Sequence, residues 1–220
     1  MPHSLRSSLQ PAPFMPVEPL VCVVDDDDAV RLSIRLLIET LGLEVRAFAT
    51  ALDFLADAQA REACHCLVLD VRMPGLSGTA LQERLVREGN PMPIIFVSAH
   101  GDVPMVARAM REGAFDFLQK PFNDQALLDR VLEAVQHAGQ TRRLRLEVQE
   151  VERRLDSLTQ RERDVMSGMI QGRLNKQIAE DLGISMKTVE QHRARVMEKL
   201  QVASLAELVR AALKTGRFEA

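Results

Sequence analysis

The sequence predicts an α/β domain with a doubly wound, five-stranded parallel sheet, followed by a separate all-α domain of four helices. The first observation is that short apolar runs alternate with helical patterns over residues 20–138, as in parallel sheets joined by crossover helices. The second is that four short amphipathic segments follow with no strand pattern. The third is charge: residues 1–140 hold 12 basic and 19 acidic side chains, a net charge of −7, whereas residues 141–220 hold 16 and 12, a net charge of +4. The two halves are therefore expected to have different tasks, the second involving a polyanion.

Composition excludes several classes of protein. With 220 residues, 46% hydrophobic and 27% charged, the chain fits neither collagen nor a disordered protein. No apolar run reaches the roughly 18 residues of a membrane span, and the first 19 residues lack the pattern of a signal peptide. We therefore expect a cytoplasmic protein. Residues 1–19 predict a disordered tail, with Met1 and Met15 both open as the start. The three cysteines form no CxxC pair, and Cys64-His65-Cys66 lacks a second cluster to complete a metal site.

The first domain, residues 20–138, is predicted from its periodicity. The five predicted strands are Leu20–Val24, Glu44–Phe48, Cys66–Leu69, Ile94–Val97 and Phe115–Leu118. The predicted helices are Val30–Leu41, Ala51–Asp57, Thr79–Arg87, Pro104–Arg111 and Gln125–His137. In such a sheet the chemistry is expected beyond the carboxyl ends of the strands.

Residues 139–157 predict a helical linker, with Gly139 as a break at its start. The apolar residues follow a spacing of 4, 3, 4 and 3, and they are Leu144, Val148, Val151, Leu155 and Leu158. This spacing fits a short dimerising coiled coil or, as the simpler alternative, a helix packed on its own domain.

The second domain, residues 158–220, has the pattern of a helix-turn-helix. Its four predicted helices are Thr159–Gln171, Lys176–Leu182, Ser185–Leu200 and Ser204–Thr215. Thr159 and Glu162 fit a capping box, and Gly172 and Gly183 lie where helix ends or turns belong. A tight turn at Gly183 would join the second helix to the third.

Polar residues follow four of the predicted strands: Asp25 and Asp26 the first, Asp70 the third, Ser98 the fourth and Lys120 the fifth. Parallel strands would bring them to one edge of the sheet. Three crowded carboxylates favour a bound cation, and their oxygens suit Mg²⁺, which also accepts phosphate oxygens. Asp70 is the best candidate nucleophile for forming an acyl phosphate, because a Pro/Gly loop leaves it accessible at the strand end.

Residues 20–138 resemble the receiver domain of bacterial two-component response regulators. The matching motifs are VVDDDD, LVLDVRMPGLSG, FVSAHGDVPMVARAM and DFLQKPF. The resemblance implies the flavodoxin-like strand order 2-1-3-4-5 and a cis Lys120–Pro121 peptide bond. It implies Asp70 as phosphoryl acceptor, Lys120 as its cationic partner, Ser98 as the switch hydroxyl and Phe117 as the switch aromatic residue. Asp25, Asp26, Asp70 and the main-chain carbonyl of Arg72 would hold Mg²⁺.

Residues 158–218 resemble the LuxR-type DNA-binding domain, through LTQRERDVMSGMIQG, NKQIAEDLGIS, KTVEQHRARVMEKL and SLAELVRAA. On a helical wheel the apolar side of the third helix would pack inward, leaving a polar side for the major groove. By position Glu190, Gln191 and Ala194 would face bases. Phosphates would be contacted mainly by Lys176, Lys187, Thr188, His192, Arg195 and Lys199, although the wheel places His192 toward the core. Together the two domains resemble FixJ and NarL regulators, with the FixJ side nearer.

The resemblance implies a phosphorylation-activated transcription factor, itself not an enzyme. The expected partners are a sensor histidine kinase, double-stranded promoter DNA, a second copy on phosphorylation, and RNA polymerase. One alternative is a regulator that binds DNA without phosphorylation. Another is a phosphohydrolase of the haloacid-dehalogenase type, in which Asp25 is the nucleophile and Asp27 the acid.

Overall fold

The computed structural model describes residues 19–99 and 103–216, which divide into two compact units at Gly139 and Gln140. Most of the predicted tail, residues 100–102 of the FVSAHGDVPM motif and residues 217–220 lie outside these ranges. No helix within the described ranges is long and apolar enough to cross a membrane.

The first unit is a parallel sheet covered by helices, in the predicted strand order β2-β1-β3-β4-β5. The strands are β1 (Leu20–Val24), β2 (Glu44–Phe48), β3 (Cys64–Leu69), β4 (Ile94–Ser98) and β5 (Asp116–Gln119). The helices are α1 (Asp28–Glu39), α2 (Ala51–Ala56), α3 (Ala58–Ala63), α4 (Gly78–Arg87), α5 (Val103–Arg111) and α6 (Asp124–Asp156). Every residue of β1, β3 and β4 is buried, because helices cover both faces of these central strands.

Two apolar cores lie on opposite faces of the sheet. Side chains alternate along a strand, so Cys22 and Val24 contribute to one core while Val21 and Val23 contribute to the other. All three cysteines are buried and free. Within the described ranges, no three His, Cys, Asp or Glu side chains are grouped so as to hold a metal ion by themselves.

Several element bounds in the first unit differ from the predicted ones by one or two residues, and two differences are larger. A short helix, α3, follows α2, with the Asp57 carboxylate accepting the Ala60 N–H at its N-terminus. The predicted break at Gly139 is wrong, since α6 continues through this glycine to Asp156. A β-carbon at Gly139 would meet no atom within 4 Å, and a single helical glycine costs only about 1 kcal/mol relative to alanine.

The second unit contains the C-terminal part of α6 and four further helices. These are α7 (Gln160–Ile170), α8 (Asn175–Leu182), α9 (Met186–Leu200) and α10 (Leu205–Lys214). The capping box of Thr159 and Glu162 is present, and Gly183 ends α8 with a φ of 66°. Of the proposed heptad residues, Leu155 and Leu158 are buried in this unit's core with Val151 packed beside them, whereas Leu144 is exposed. The C-terminal half of that pattern therefore packs within its own unit.

Candidate phosphoryl-acceptor site and DNA-binding surface

The carboxyl ends of the strands bring Asp25, Asp70, Ser98 and Lys120 to one edge of the sheet. Val24 pairs with Leu69, so Asp25 and Asp70 follow neighbouring positions of β1 and β3. The Asp70 N–H donates to the carbonyl of Val24 at 2.8 Å, and the Lys120 N–H donates to the carbonyl of Ser98 at 2.9 Å. These backbone hydrogen bonds thus fix the main-chain positions from which the side chains of Asp70 and Lys120 extend.

Lys120 joins the two buried carboxylates. Its Nζ lies 2.6 Å from Asp25 Oδ2 and 3.1 Å from Asp70 Oδ1. The other oxygen of Asp70 accepts the N–H of Arg72 at 2.7 Å, and Asp25 Oδ1 accepts the N–H of Asp27 at 3.0 Å. These four bonds hold both carboxylates in fixed orientations.

Burial and the lysine act in opposite directions on the pKa values of this site. Burial raises the pKa of Asp70, and the hydrogen bonds from Lys120 and Arg72 only partly offset it. Burial alone would lower the pKa of Lys120, but the bonds to Asp25 and Asp70 outweigh it, so that pKa is raised. The lysine therefore stays charged beside the carboxylates.

The remaining predicted residues surround this pair. Ser98 is buried at the end of β4. Phe117 is half-buried, with its ring centroid 6.3 Å from that of Phe96. Asp26 is exposed and, together with Arg72, lines an open cleft of about 680 Å³. The Lys120–Pro121 bond is cis, as predicted.

In the second unit, α9 has the predicted two sides. Val189, Val196 and Leu200 are buried in the core of the unit. The exposed residues include Lys187, Glu190, Gln191, Ala194 and Arg195 on α9 and Lys176 on α8. The side chain of Ser185 accepts the N–H of Thr188 and so begins the helix. An exposed polar surface with three basic side chains suits a phosphate backbone.

Two family comparisons match these two units. The response regulator receiver domain family matches residues 21–132, and the bacterial regulatory proteins of the luxR family match residues 156–212. The transcriptional regulatory protein FixJ of Azorhizobium caulinodans is 46% identical over 202 residues, which cover 92% of this chain and 95% of that protein. The chain is a FixJ-type response regulator.

Other relatives support the same assignment. The response regulator protein TmoT of Ectopseudomonas mendocina is 42% identical over 193 residues, covering 88% of this chain and 87% of that protein. Among solved structures, the response regulator StyR superposes with a TM-score of 0.83 at 46% identity, covering 90% of this chain and 99% of that one. This FixJ-type regulator therefore combines a receiver with a LuxR-type DNA-binding domain and belongs to a family of phosphorylation-dependent transcription regulators.

Within the LuxR-type domain, Lys199, one of the predicted phosphate contacts, makes two contacts to residues of its own domain. Its Nζ donates to Glu162 Oε2 at 2.6 Å and to the carbonyl of Ser157 at 3.1 Å. Because this ammonium group is hydrogen-bonded to the buried carboxylate of Glu162, we expect it to stabilise the domain. His192 is half-buried, and its Nδ1 has no hydrogen-bond partner in the described part of the chain, in keeping with its position toward the core.

Two structurally important residues of the receiver, Gly78 and Gln82, were not predicted from the sequence. Gly78 begins α4 directly behind Asp70, and a β-carbon there would lie 2.1 Å from the Asp70 carbonyl oxygen. Gln82 is completely buried in α4 and bonds to α5. The motif LVLDVRMPGLSG contains Gly78 but does not show which atom it approaches, and a lone Gln in an amphipathic helix carries no sequence signal.

Proposed function

We propose that this regulator accepts a phosphoryl group on Asp70 from a sensor histidine kinase, with Mg²⁺, and then dimerises and binds promoter DNA, where it meets RNA polymerase. The observation that carries the proposal is the contact of Lys120 Nζ with both Asp25 and Asp70. Such an arrangement places a cation beside the Asp70 carboxylate, where it can contact the incoming phosphoryl group.

The donor set of the site fits Mg²⁺. Asp25 and Asp70 supply two carboxylates against the single positive charge of Lys120, and Asp26 is the next residue after Asp25 and lines the cleft beside Arg72. Mg²⁺ is commonly held by only one or two protein carboxylates with several waters, so a complete cage of side chains is not needed. We propose Asp25, Asp26, Asp70 and the main-chain carbonyl of Arg72 as its ligands. When bound, the ion would neutralise charge on the phosphoryl oxygens.

In the proposed transfer step, each of four residues of the receiver has a separate role. An oxygen of Asp70 attacks phosphorus and forms the new P–O bond, while the bond between phosphorus and the donor breaks and its electron pair leaves with the donor. Lys120 stays with Asp25 and can move its second contact from Asp70 to a phosphoryl oxygen. Ser98, in the neighbouring strand end, would then hydrogen-bond the phosphoryl group, and Phe117 would turn inward behind it.

Asp70→Asn is expected to abolish phosphoryl acceptance. The amide lacks the negative charge of the attacking oxygen but keeps the shape of the side chain. The check is intact mass after incubation of the full chain with a small acyl-phosphate donor and Mg²⁺. We expect the wild-type protein to gain one phosphoryl increment that Asp70→Asn does not gain.

Asp25→Asn is the matched variant, because it removes the second carboxylate that Lys120 contacts. An increment that survives Asp70→Asn but disappears in Asp25→Asn would contradict the proposal and favour a phosphohydrolase that uses Asp25. The structure favours the proposal, since Asp27, the acid in that alternative, begins α1 by accepting the N–H groups of Ala29 and Val30. DNA binding indifferent to Asp70→Asn and to Mg²⁺ would instead indicate a phosphorylation-independent regulator.

For DNA we propose that α9 enters the major groove. Glu190, Gln191 and Ala194 would face bases, and Lys176, Lys187, Thr188 and Arg195 would contact phosphates. Gln191→Ala is expected to relax sequence preference, because a glutamine amide can pair with adenine through two hydrogen bonds worth about 1–3 kcal/mol of discrimination. The measurement is the ratio of affinities for the promoter site and for random DNA.

Lys187→Ala is the matched control on the same helix. We expect it to weaken binding to both DNAs by a similar factor and to reduce the salt dependence of binding, because a phosphate contact carries no sequence information. Equal losses on promoter and random DNA for Gln191→Ala would exclude a base contact by that residue.

A further inference from the structure

Helix α5 has fewer buried residues than the neighbouring α4, although Met105 also packs against the core of the sheet. Ala109 is its one buried residue, whereas α4 beside it buries Gly78, Leu81, Gln82 and Leu85. Elements with few buried contacts open at low free-energy cost. Helix α5 also follows β4, which ends in the proposed switch residue Ser98, so it is suited to move when that end of the sheet changes.

A buried polar side chain of α4 bonds to the backbone of this helix. Gln82 is 0% exposed, and its Nε2 donates to the carbonyl oxygen of Ala109 at 3.0 Å. A carbonyl can only accept, so this contact fixes which end of the amide points at α5. The same carbonyl accepts the N–H of Ala114 at 3.0 Å, so it keeps a partner when Gln82 is removed.

The other end of the Gln82 amide is not satisfied. Its Oε1 is buried and finds no hydrogen-bond donor in the described parts of the chain. Buried polar atoms without partners are rare and unfavourable in folded proteins. Gln82 therefore bonds to α5 through Nε2 only. The cost of burying Oε1 without a donor offsets part of the free energy that the Nε2 bond contributes, so the attachment is weaker than one made by a fully bonded amide.

We infer that Gln82 is a positioning residue of the phosphorylation switch: it holds α5 in its resting position through the Ala109 carbonyl, and its unsatisfied oxygen keeps that hold weak enough to be released. The inference rests on the proposed function for its link to activation. Its first part, the hold on α5, is a property of the unphosphorylated chain and is testable without phosphate.

The test is Gln82→Leu in the full-length protein. Leucine has a similar volume, removes the bond to Ala109 and also removes the unsatisfied oxygen, so the free energy of global unfolding should stay unchanged or rise. Hydrogen exchange of the α5 amides should become about fivefold faster, the factor expected for one buried hydrogen bond. In an Asp70→Asn background, affinity for promoter DNA should rise by a similar factor, because the helix is released without phosphate.

Glu83→Gln is the matched control on the next residue. Glu83 also contacts α5, through an ion pair of its Oε1 with Arg108 Nη2 at 2.6 Å, but both side chains are exposed. Exposed pairs contribute little, so exchange in α5 and DNA affinity should be unchanged. Unchanged α5 exchange in Gln82→Leu would overturn the inference, as would faster exchange spread equally over α1, α4 and α5.

The design separates this inference from the proposed function. If Asp70 takes no phosphoryl group, the proposed function fails, yet faster exchange confined to α5 would still support the hold by Gln82. If Asp70 is phosphorylated normally and Gln82→Leu changes α5 exchange but not DNA affinity, the hold exists without serving the switch, and the inference is overturned.

Discussion

Gly78→Ala is expected to lower the free energy of unfolding by roughly 1–3 kcal/mol and to abolish phosphoryl acceptance on Asp70. The added β-carbon would lie 2.1 Å from the Asp70 carbonyl oxygen and 3.1 Å from its carbonyl carbon. Backbone cannot give way as a flexible side chain can, so the strand end carrying Asp70 must shift. Urea unfolding and intact mass after incubation with an acyl-phosphate donor would measure the two effects.

Gly139→Ala is the control for this prediction. A β-carbon at Gly139 meets nothing within 4 Å, and the residue lies inside α6. Alanine there should raise the free energy of unfolding by about 0.5–1 kcal/mol and leave phosphorylation intact. A Gly78→Ala protein as stable and as readily phosphorylated as Gly139→Ala would show that the backbone contact does not position Asp70.

Lys199→Met is expected to destabilise the LuxR-type domain by about 3 kcal/mol, because it leaves the Glu162 carboxylate buried and without its cation. Glu162 is 3% exposed, and the Lys199 ammonium lies 2.6 Å from its Oε2. Urea unfolding of the full chain would measure the loss. The control is Lys214→Met, whose ion pair with Glu147 is exposed and should change stability by less than about 0.5 kcal/mol. Equal stability of the two variants would contradict a structural role for Lys199.

The same pair gives the domain an acid-sensitive component of stability. Burial alone would raise the pKa of Glu162, but hydrogen bonds from Lys199 and Thr159 outweigh it and hold the pKa below its ordinary value of 4.5. A carboxylate with a lowered folded-state pKa stabilises the fold above its unfolded-state pKa and loses that contribution as the pH falls through the folded-state value. Wild-type stability should therefore fall more steeply than that of Lys199→Met below about pH 4.5.

Periodicity predicted most of the fold, since every strand and nearly every helix carries a strong apolar pattern. Helix α3 was missed because Ala58–Ala63 is mostly alanine and polar residues, with no amphipathic pattern to distinguish it from a loop. The predicted break at Gly139 was wrong for a related reason. Its local preference against helix is small, and the helix-favouring residues on either side of it outweigh that preference.

Strand ends predicted the receiver site, since Asp25, Asp70, Ser98 and Lys120 each follow a clear apolar run. The sequence pattern could not show which polar side chains are already bonded to another residue of the same domain. Lys199 lies on the polar side of α9 by sequence, but its long side chain reaches back to Glu162, a contact 37 residues apart. Contacts of this kind depend on tertiary packing and leave no local signal.

The attachment of α9 has a mechanical consequence. Its last turn is fixed to the end of α6 by two bonds, from Lys199 Nζ to the Ser157 carbonyl and from Arg154 Nη1 to the Leu200 carbonyl at 3.2 Å. A helix of 15 residues is about 22 Å long, so a tilt of α9 that takes this C-terminal end as its pivot grows toward Lys187 and must also repack the buried Val189. A tilt of about 5° at that pivot carries Lys187 about 2 Å, most of the length of a hydrogen bond. The N-terminal end of α9, which we propose contacts DNA, would thus move further than Arg154 and Ser157 themselves.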